Sequence, residues 1–297
     1  MGKESSYHGL LVVDKPCGMT SRAAVDRVQR WFPRGTKIGH TGTLDPLATG
    51  VLVICVGIAT RLTQYVQRLP KTYCAGISLG SRSDTDDADG TVTPIEGVTP
   101  PDQTTVERAL DEFIGAIEQV PPAFSAAKVT GQRAYNLARR GKDVALPARA
   151  VLVHGIDLLA YDYPRLDIEV RCGKGTYVRA LARDLGERLG CGAYVQTLRR
   201  TRVGSFTAED AVSLDTNAET VRAKLLAAAA AVSHLVEVHL DETRLAQFRR
   251  GQSVSAEVVV SPEDDDVAVF NERDELVGLG HFDGDSGLLH PEKVLIV

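Results

Sequence analysis

Between Gly39 and Gly50 a single carboxylate, Asp45, stands among glycines, threonines and a proline, with no second acid near it in the chain. Glycines allow backbone conformations closed to other residues and Pro46 holds Asp45 extended, so the loop can fix one side chain at the mouth of a cleft. That reading makes Asp45 a reactive group; a plain turn in which its carboxylate bonds local backbone stays open on this stretch alone. Further along, Gly175-Thr176-Tyr177-Val178-Arg179 places an arginine at the start of a predicted helix, where the first amides favour an anion. A guanidinium is planar and stays charged when desolvated, so Arg179 could hold the Asp45 carboxylate in one orientation; an exposed arginine without a partner is the alternative. Tyr73, in Lys71-Thr72-Tyr73, opens a predicted strand soon after the Asp45 loop. Its ring could stack on a planar base or pack into the core.

Other chemistries are set aside by spacing. Gly173-Lys174-Gly175-Thr176 lacks the longer glycine spacing that precedes the lysine of a phosphate loop, so no nucleotide cofactor is expected. The acidic loop carrying Asp84, Asp86, Asp87 and Asp89 closes at Gly90 without the glutamate a calcium loop needs, and no metal is implied. The five cysteines are scattered with no paired spacing, which fits structural thiols rather than a zinc site or a disulfide framework.

The elements that must position these residues follow from periodicity. Apolar runs predict buried strands over 9–13 and 51–56, and Ser21 is a candidate N-cap for a helix with Val25, Val28 and Phe32 inward. A short helix is expected over 60–66, a strand over 73–79, and a helix over 103–114. After Pro121-Pro122 a polar, basic stretch runs to Pro147 and reads as an insertion suited to a flap over a ligand. Paired strands over 151–159 and 166–172, a helix from about Thr176 to Gly190, a strand over 193–203 and an alanine-rich helix ending near Val232 complete a mixed α/β unit. Beyond Leu235, short strands over 254–260, 267–271, 276–282 and 294–297 predict a small β-domain.

At 297 residues and 43% hydrophobic the chain can bury a substantial core. No apolar run is long enough to span a bilayer and no leader pattern opens the chain, so a cytoplasmic protein is expected. The net charge of -5 hides uneven patterning. Basic residues crowd 128–149 and again 171–202, which suggests surfaces that could hold a polyanion.

The motifs Lys15-Pro16-Cys17-Gly18-Met19-Thr20-Ser21, Gly39 to Gly50, Lys71-Thr72-Tyr73, Pro121-Pro122 with Ser125-Ala126 and Lys128, Gly173 to Arg179, and Gly192-Ala193-Tyr194-Val195 with Leu198-Arg199-Arg200-Thr201 stand in one order. Together they resemble the bacterial tRNA pseudouridine synthase B (TruB) family. The likeness is dense over about residues 9–206, and the tail resembles, less specifically, a small PUA RNA-binding domain. The resemblance implies an α/β (α+β) fold: a mixed-sheet pseudouridine synthase catalytic domain over 1–233, with a basic RNA-binding insertion at about 121–150, then a PUA-like domain over 234–297. It implies isomerisation of uridine to pseudouridine at position 55 in the T-loop of tRNA, with base flipping and without cofactor. By the same resemblance Asp45 is the catalytic aspartate, Arg179 its ion-pair partner, and Tyr73 the ring that stacks on the uracil and assists proton removal. Leu198 packs on the base, His40 fills space vacated in the T-loop, and Tyr177, Lys128 and Lys174 contact RNA. Lys15 and Pro16 buttress the loop. Phe124 stands where the family carries tyrosine, Ser83 where threonine is usual and Tyr194 where histidine is frequent.

An RNA-modifying isomerase acting as a monomer on the T-arm stem-loop is therefore expected. The main rival is a non-catalytic RNA-binding or tRNA-folding protein that would tolerate loss of Asp45. A nucleoside or glycoside hydrolase would want a second carboxylate or a metal, and neither stands at a suggestive position in the sequence.

Overall fold

A computed structural model describes residues 7–125, 128–129, 132–133, 146–258 and 266–295, with side chains of 128–129 and 132–133 left aside. Ten strands form one mixed sheet. Its main path runs Val212–Ser213, Gly9–Lys15, Thr49–Val56, Ala193–Val203, Lys71–Leu79, Arg165–Cys172, Arg149–Asp162 and Gly115–Gln119. Ile38–His40 pairs with Thr49–Val56, and Phe206–Thr207 pairs with Ala193–Val203. A second sheet of five strands runs Val236–His239, Asp266–Phe270, Leu276–Asp283, Leu288–Val294 and Val254–Ser255. The α/β class with a β-rich tail therefore stands.

Strand composition explains the layering. Gly9–Lys15 sends Leu11 and Val13 into one core and Leu10 and Val12 into another, as Thr49–Val56 does with Leu52 and Ile54 against Val51 and Val53. Strands buried on both faces read as unbroken apolar runs, which these two do. On the first face the helices Ser21–Gln29, Gln103–Asp111 and Val178–Arg188 pack through Val25 and Val28, Val106 and Leu110, and Leu181 and Leu185. On the second face Leu62, Tyr65 and Val66 meet Ala268, Phe270, Leu279 and Leu295 of the five-stranded sheet. Asp266–Phe270 is itself two-sided, since Val267 and Val269 point to the smaller sheet's own core with Phe248 and Leu289. Arg68 pairs with Asp266 at 3.2 Å and the Tyr65 hydroxyl meets Glu292 at 3.1 Å, so polar contacts rim this apolar seam.

Several predicted boundaries are corrected. The N-cap is Thr20, whose side chain accepts from the Ala23 amide, while Ser21 is buried and turned to Leu44. The helix ends at Gln29, so Phe32 is buried from the turn beyond it. Residues 57–68 form a 3-10 turn, Gly57–Leu62, before the short helix Thr63–Arg68. The helix at 103 stops at Asp111, because a strand, Gly115–Gln119, follows and pairs with the start of Arg149–Asp162. The alanine-rich helix does not exist as one piece. Leu226 exchanges two backbone hydrogen bonds with Leu10, at 2.9 and 2.8 Å, and this extended bridge separates Ala218–Ala223 from the 3-10 turn Ala228–Val232. In the tail, a strand at Val236–His239 and a helix at Glu242–Arg249 went unread. The last strand ends at Val294 rather than beginning there, and Val254–Ser255 is shorter than predicted.

Gly50 ends the Asp45 loop at φ +98°, and a Cβ there would lie 2.2 Å from the carbonyl oxygen of Arg200 on the neighbouring strand. Gly50→Ala is expected to destabilise the protein by more than about 2 kcal/mol, read as a lowered urea midpoint at unchanged m-value.

Candidate active site

The Asp45 loop is tethered on both sides of its carboxylate. The Thr41 amide donates to the Val53 carbonyl at 3.0 Å, returning the chain to the sheet. The buried Ser21 hydroxyl donates to the Leu44 carbonyl at 2.9 Å and accepts from the Leu44 amide at 2.7 Å. On the other side, Lys15 is fully buried and its Nζ donates to the carbonyls of Pro16, Met19 and Pro46 at 2.9, 2.6 and 3.4 Å. The Gly18 amide also donates to Pro46, at 2.8 Å. Lys15 thus ties the turn after the first strand to the residue following Asp45. Burial lowers its pKa from 10.5 to about 8.

Asp45 opens onto a cleft of about 950 Å³ whose lining includes Tyr73, Lys174, Tyr177, Arg179, Leu198 and Arg200. Arg179 Nη2 lies 2.9 Å from Asp45 Oδ2, and its side chain is 4% exposed against 34% for Asp45. The cation is therefore sealed while its carboxylate partner still faces the cleft. Arg179 Nη1 lies 3.0 Å from Asp87 Oδ2, and the guanidinium also donates to the carbonyls of Thr85 and Phe124 at 2.9 and 3.0 Å. One arginine joins two carboxylates. Burial raises the pKa of the Asp45 carboxyl, Asp87 adds to that rise, and Arg179 and Lys15 oppose it.

Asp87 was not singled out by sequence, where it is one acid among four in a loop. Its carboxylate accepts from the Thr85 hydroxyl at 2.6 Å and the Asp89 amide at 3.1 Å, and its carbonyl accepts from Ser83 at 2.6 Å. Its neighbour Asp86 adopts φ +61° and meets Arg183 at 3.1 Å, with burial raising its carboxyl to about 6. The acidic loop is thus folded inward onto two arginines, a placement that no local spacing announces. Ser83 keeps the hydroxyl that this loop uses, and Phe124 contributes its carbonyl, so neither departure from the family pattern removes these bonds.

Tyr73 lies across the cleft, with the Arg200 guanidinium 6.0 Å from its ring centroid. Burial raises the pKa of its phenol, which keeps the hydroxyl protonated near neutral pH. Arg200, which sequence reasoning did not assign, is buried and donates to the carbonyls of Val51 and Gly42 at 2.7 and 3.2 Å. Lys71 also lines the cleft, donating to the Gln67 and Leu69 carbonyls at 2.6 Å each, and burial lowers its pKa to about 8. His40 ends the strand Ile38–His40 beside Thr41 and is adjacent to the cleft rather than part of its lining. Pro16 is exposed, and its carbonyl receives Lys15. Lys128 begins the short strand Lys128–Val129, and its side chain lies outside the described residues, as does most of the insertion.

Two electrostatic expectations change. The start of the helix Val178–Arg188 is taken up internally, because the Tyr177 amide donates to Gln119 Oε1 at 2.8 Å. The basic run over 171–202 is largely neutralised, with Arg171 on Asp157 and Glu169, Arg183 on Asp86 and Asp184, Arg188 on Glu112 and Arg199 on Asp14. Among the described residues Lys174 and Arg200 of that run form no ion pair with a carboxylate, Arg202 interacts with Glu209, and no His/Cys/Asp/Glu group arranged to hold a metal ion is present.

Residues 30–178 match the family described as "TruB family pseudouridylate synthase (N terminal domain)". Residues 179–238 match "tRNA pseudouridylate synthase B C-terminal domain", and 237–295 match "Pseudouridine synthase II TruB, C-terminal". Relatives named tRNA pseudouridine synthase B include one from Xanthomonas campestris pv. campestris (strain B100), 42% identical over 97% of this chain and 94% of its own. Another, from Cupriavidus metallidurans, is 41% identical with the same coverage. The fold is similar to that in the crystal structure of a Cbf5-Nop10-Gar1 complex, with TM-score 0.75, 26% identity, and coverage of 97% of this chain and 85% of that one. It is also similar to a chain in the structure of an H/ACA RNP bound to a substrate RNA containing 2'-deoxyuridine, with TM-score 0.74 and 25% identity over the same shares.

The buried Lys15 carries a pH signature. Its folded pKa of about 8 lies below the 10.5 of an exposed lysine, so between those values the unfolded chain holds a proton that the folded chain has lost, and stability rises with pH. Wild type is therefore expected to gain on Lys15→Met from pH 8 to pH 10 by up to about 1.4 kcal/mol per pH unit, measured as the difference between their urea unfolding free energies.

Proposed function

The chain belongs to the TruB family of pseudouridylate synthases, and on that premise we propose that it isomerises uridine to pseudouridine at position 55 in the T-loop of tRNA. The observation that carries the proposal is the cleft in which a half-open carboxylate, Asp45, is held by a sealed arginine opposite an aromatic ring. In the reaction the C1′–N1 bond breaks, the uracil turns, a C1′–C5 bond forms, the C5 proton leaves and N1 takes up a proton. Atoms and electrons balance without an oxidant or a second substrate.

The residues divide this work. Attack on the sugar, attack on the base and removal of a sugar proton all require an ionised, positioned carboxylate at Asp45. Burial works against ionisation and Arg179 works for it, while the carboxylate stays about one-third exposed to the cleft and so available to the substrate. When Asp45 gives up its charge to a bond or a proton, Asp87 still balances Arg179, so the guanidinium need not move. Tyr73 offers a neutral ring for stacking; its raised pKa favours that role over proton removal by a phenolate. Leu198 supplies an apolar contact to a base in the cleft, and Tyr177, Lys174 and Lys128 contact RNA from the rim and the insertion. His40 fills the space left by extruded nucleotides, while Lys15 with Pro16 buttresses the loop. Extrusion of the nucleotide costs roughly a few kcal/mol, offset by stacking and phosphate contacts.

The division into a catalytic part over 1–233 and a PUA-like part over 234–297 belongs to the same proposal, supported by two separate sheets with strands over 9–213 and 236–294. A cytoplasmic monomer acting on the T-arm is part of the same proposal and rests on the family likeness; among the described residues no helix is long and apolar enough to cross a membrane.

The test is incubation with a T-arm stem-loop RNA tritiated at uracil C5. Tritium release without free base is expected from wild type, and none from Asp45→Asn; binding without release by wild type would favour a non-catalytic RNA-folding protein. Asp87→Asn is expected to retain RNA binding in a filter assay and to lower the single-turnover rate on the order of a hundredfold, because Arg179 is no longer held in register with Asp45.

A further inference from the structure

Gln119 is fully buried at the end of the edge strand Gly115–Gln119. Its Nε2 donates to the Tyr177 carbonyl at 3.1 Å and its Oε1 accepts from the Tyr177 amide at 2.8 Å. An amide side chain carries a donor and an acceptor side by side at any ordinary pH, so both polar groups of one residue's backbone are met as they would be by a neighbouring strand. Tyr177 is the N-cap of the helix that carries Arg179, and its own side chain makes no capping bond. Its carbonyl also accepts from the Leu181 amide, at 3.1 Å, so the peptide groups held by Gln119 set the first turn.

The chain beyond Gln119 stays on the same helix. The Val120 carbonyl accepts from Arg183 at 2.9 Å and the Phe124 carbonyl accepts from Arg179 at 3.0 Å. Between them Pro121 and Pro122 are buried and offer no amide hydrogens, so this segment cannot continue as a paired strand. Gln119 is therefore the first of three stitches and the one in which this segment contributes a side chain rather than a carbonyl.

We propose that Gln119 is a positioning residue for the reaction: by clamping both backbone polar groups of Tyr177 it fixes the helical turn from which Arg179 reaches Asp45. The inference rests on the isomerase reading above. Gln119 is not itself part of the cleft lining; it touches Tyr177, which is, and acts through Tyr177 on the turn that carries Arg179.

The experiment is single-turnover tritium release at saturating T-arm RNA, as a function of pH, for wild type, Gln119→Leu and Gln119→Glu, with RNA affinity and Tm measured separately. For Gln119→Leu the rate constant is expected to fall about tenfold or more while the Kd for RNA changes less than about twofold, since a small misplacement of a catalytic group is costly to chemistry. The acid limb of the profile is expected to move to higher pH. The charged groups facing Asp45 are Arg179 from the helix, Asp87 from the acidic loop and Lys15 from the first strand, and loosening Arg179 removes the strongest influence that favours the carboxylate. Gln119→Glu, which keeps the acceptor and regains a donor when protonated, is expected between the two, and it carries the same test should Gln119→Leu not accumulate as folded protein. A rate equal to wild type overturns the proposal, as does a lowered rate with an unmoved acid limb, whatever the change in Tm. No release from wild type would instead sink the isomerase reading itself.

Discussion

A buried guanidinium shared by two carboxylates is the constraint on which the rest of the site depends. Arg179 is sealed from solvent and contacts Asp45, Asp87 and two carbonyls, so its charge is balanced and its fork is nearly fully used. Removing one partner of a buried ion pair leaves an uncompensated charge, which is far costlier than losing a surface pair. The same contacts draw together the Asp45 loop, the acidic loop, the start of the insertion and a helix, four segments widely separated in the chain. A reactive carboxylate placed this way is ionised by its partner and aimed by it at once.

The sheet explains why the Asp45 loop can be rigid with few residues of its own. It hangs between Ile38–His40 and Thr49–Val56, the latter buried on both faces. One face is covered by helices, the other by the five-stranded sheet through Ala268, Phe270, Leu279 and Leu295. The tail thus backs the strand that carries the loop, and Lys15, at the end of the adjacent strand, secures the loop from below. An amine buried at three carbonyls is a costly device, and the lowered pKa of Lys15 records that cost.

Charge is used twice in this protein. Much of the arginine that would suggest an RNA surface is spent on internal pairs, with Arg171, Arg183, Arg188 and Arg199 all matched to acids. Lys174 forms no ion pair with a carboxylate among the described residues, while the acids outnumber the basic residues over the whole chain to give the net charge of -5. Net charge therefore says little here about where a polyanion would lie, and pairing says more.

Much of the catalytic side was legible from sequence because its signals are local. Asp45 among glycines, the lysine and proline after the first strand, Tyr73 at a strand start and Arg179 at a helix start are each marked by neighbours within a few residues, and order alone tied them to a family. Continuous apolar runs likewise marked Gly9–Lys15 and Thr49–Val56 as buried strands. What the tertiary structure decided are pairings between distant segments: Asp87 on Arg179, Gln119 on Tyr177, Arg200 beside Tyr73, and the Leu10–Leu226 bridge that splits an alanine-rich stretch into a short helix and a 3-10 turn. A carboxylate turned inward and one left in solvent have the same sequence neighbours, and an alanine run satisfies a helix until another strand takes its backbone. Local preference sets which conformations are cheap, but the choice among them falls to whichever distant partner satisfies a buried charge or amide.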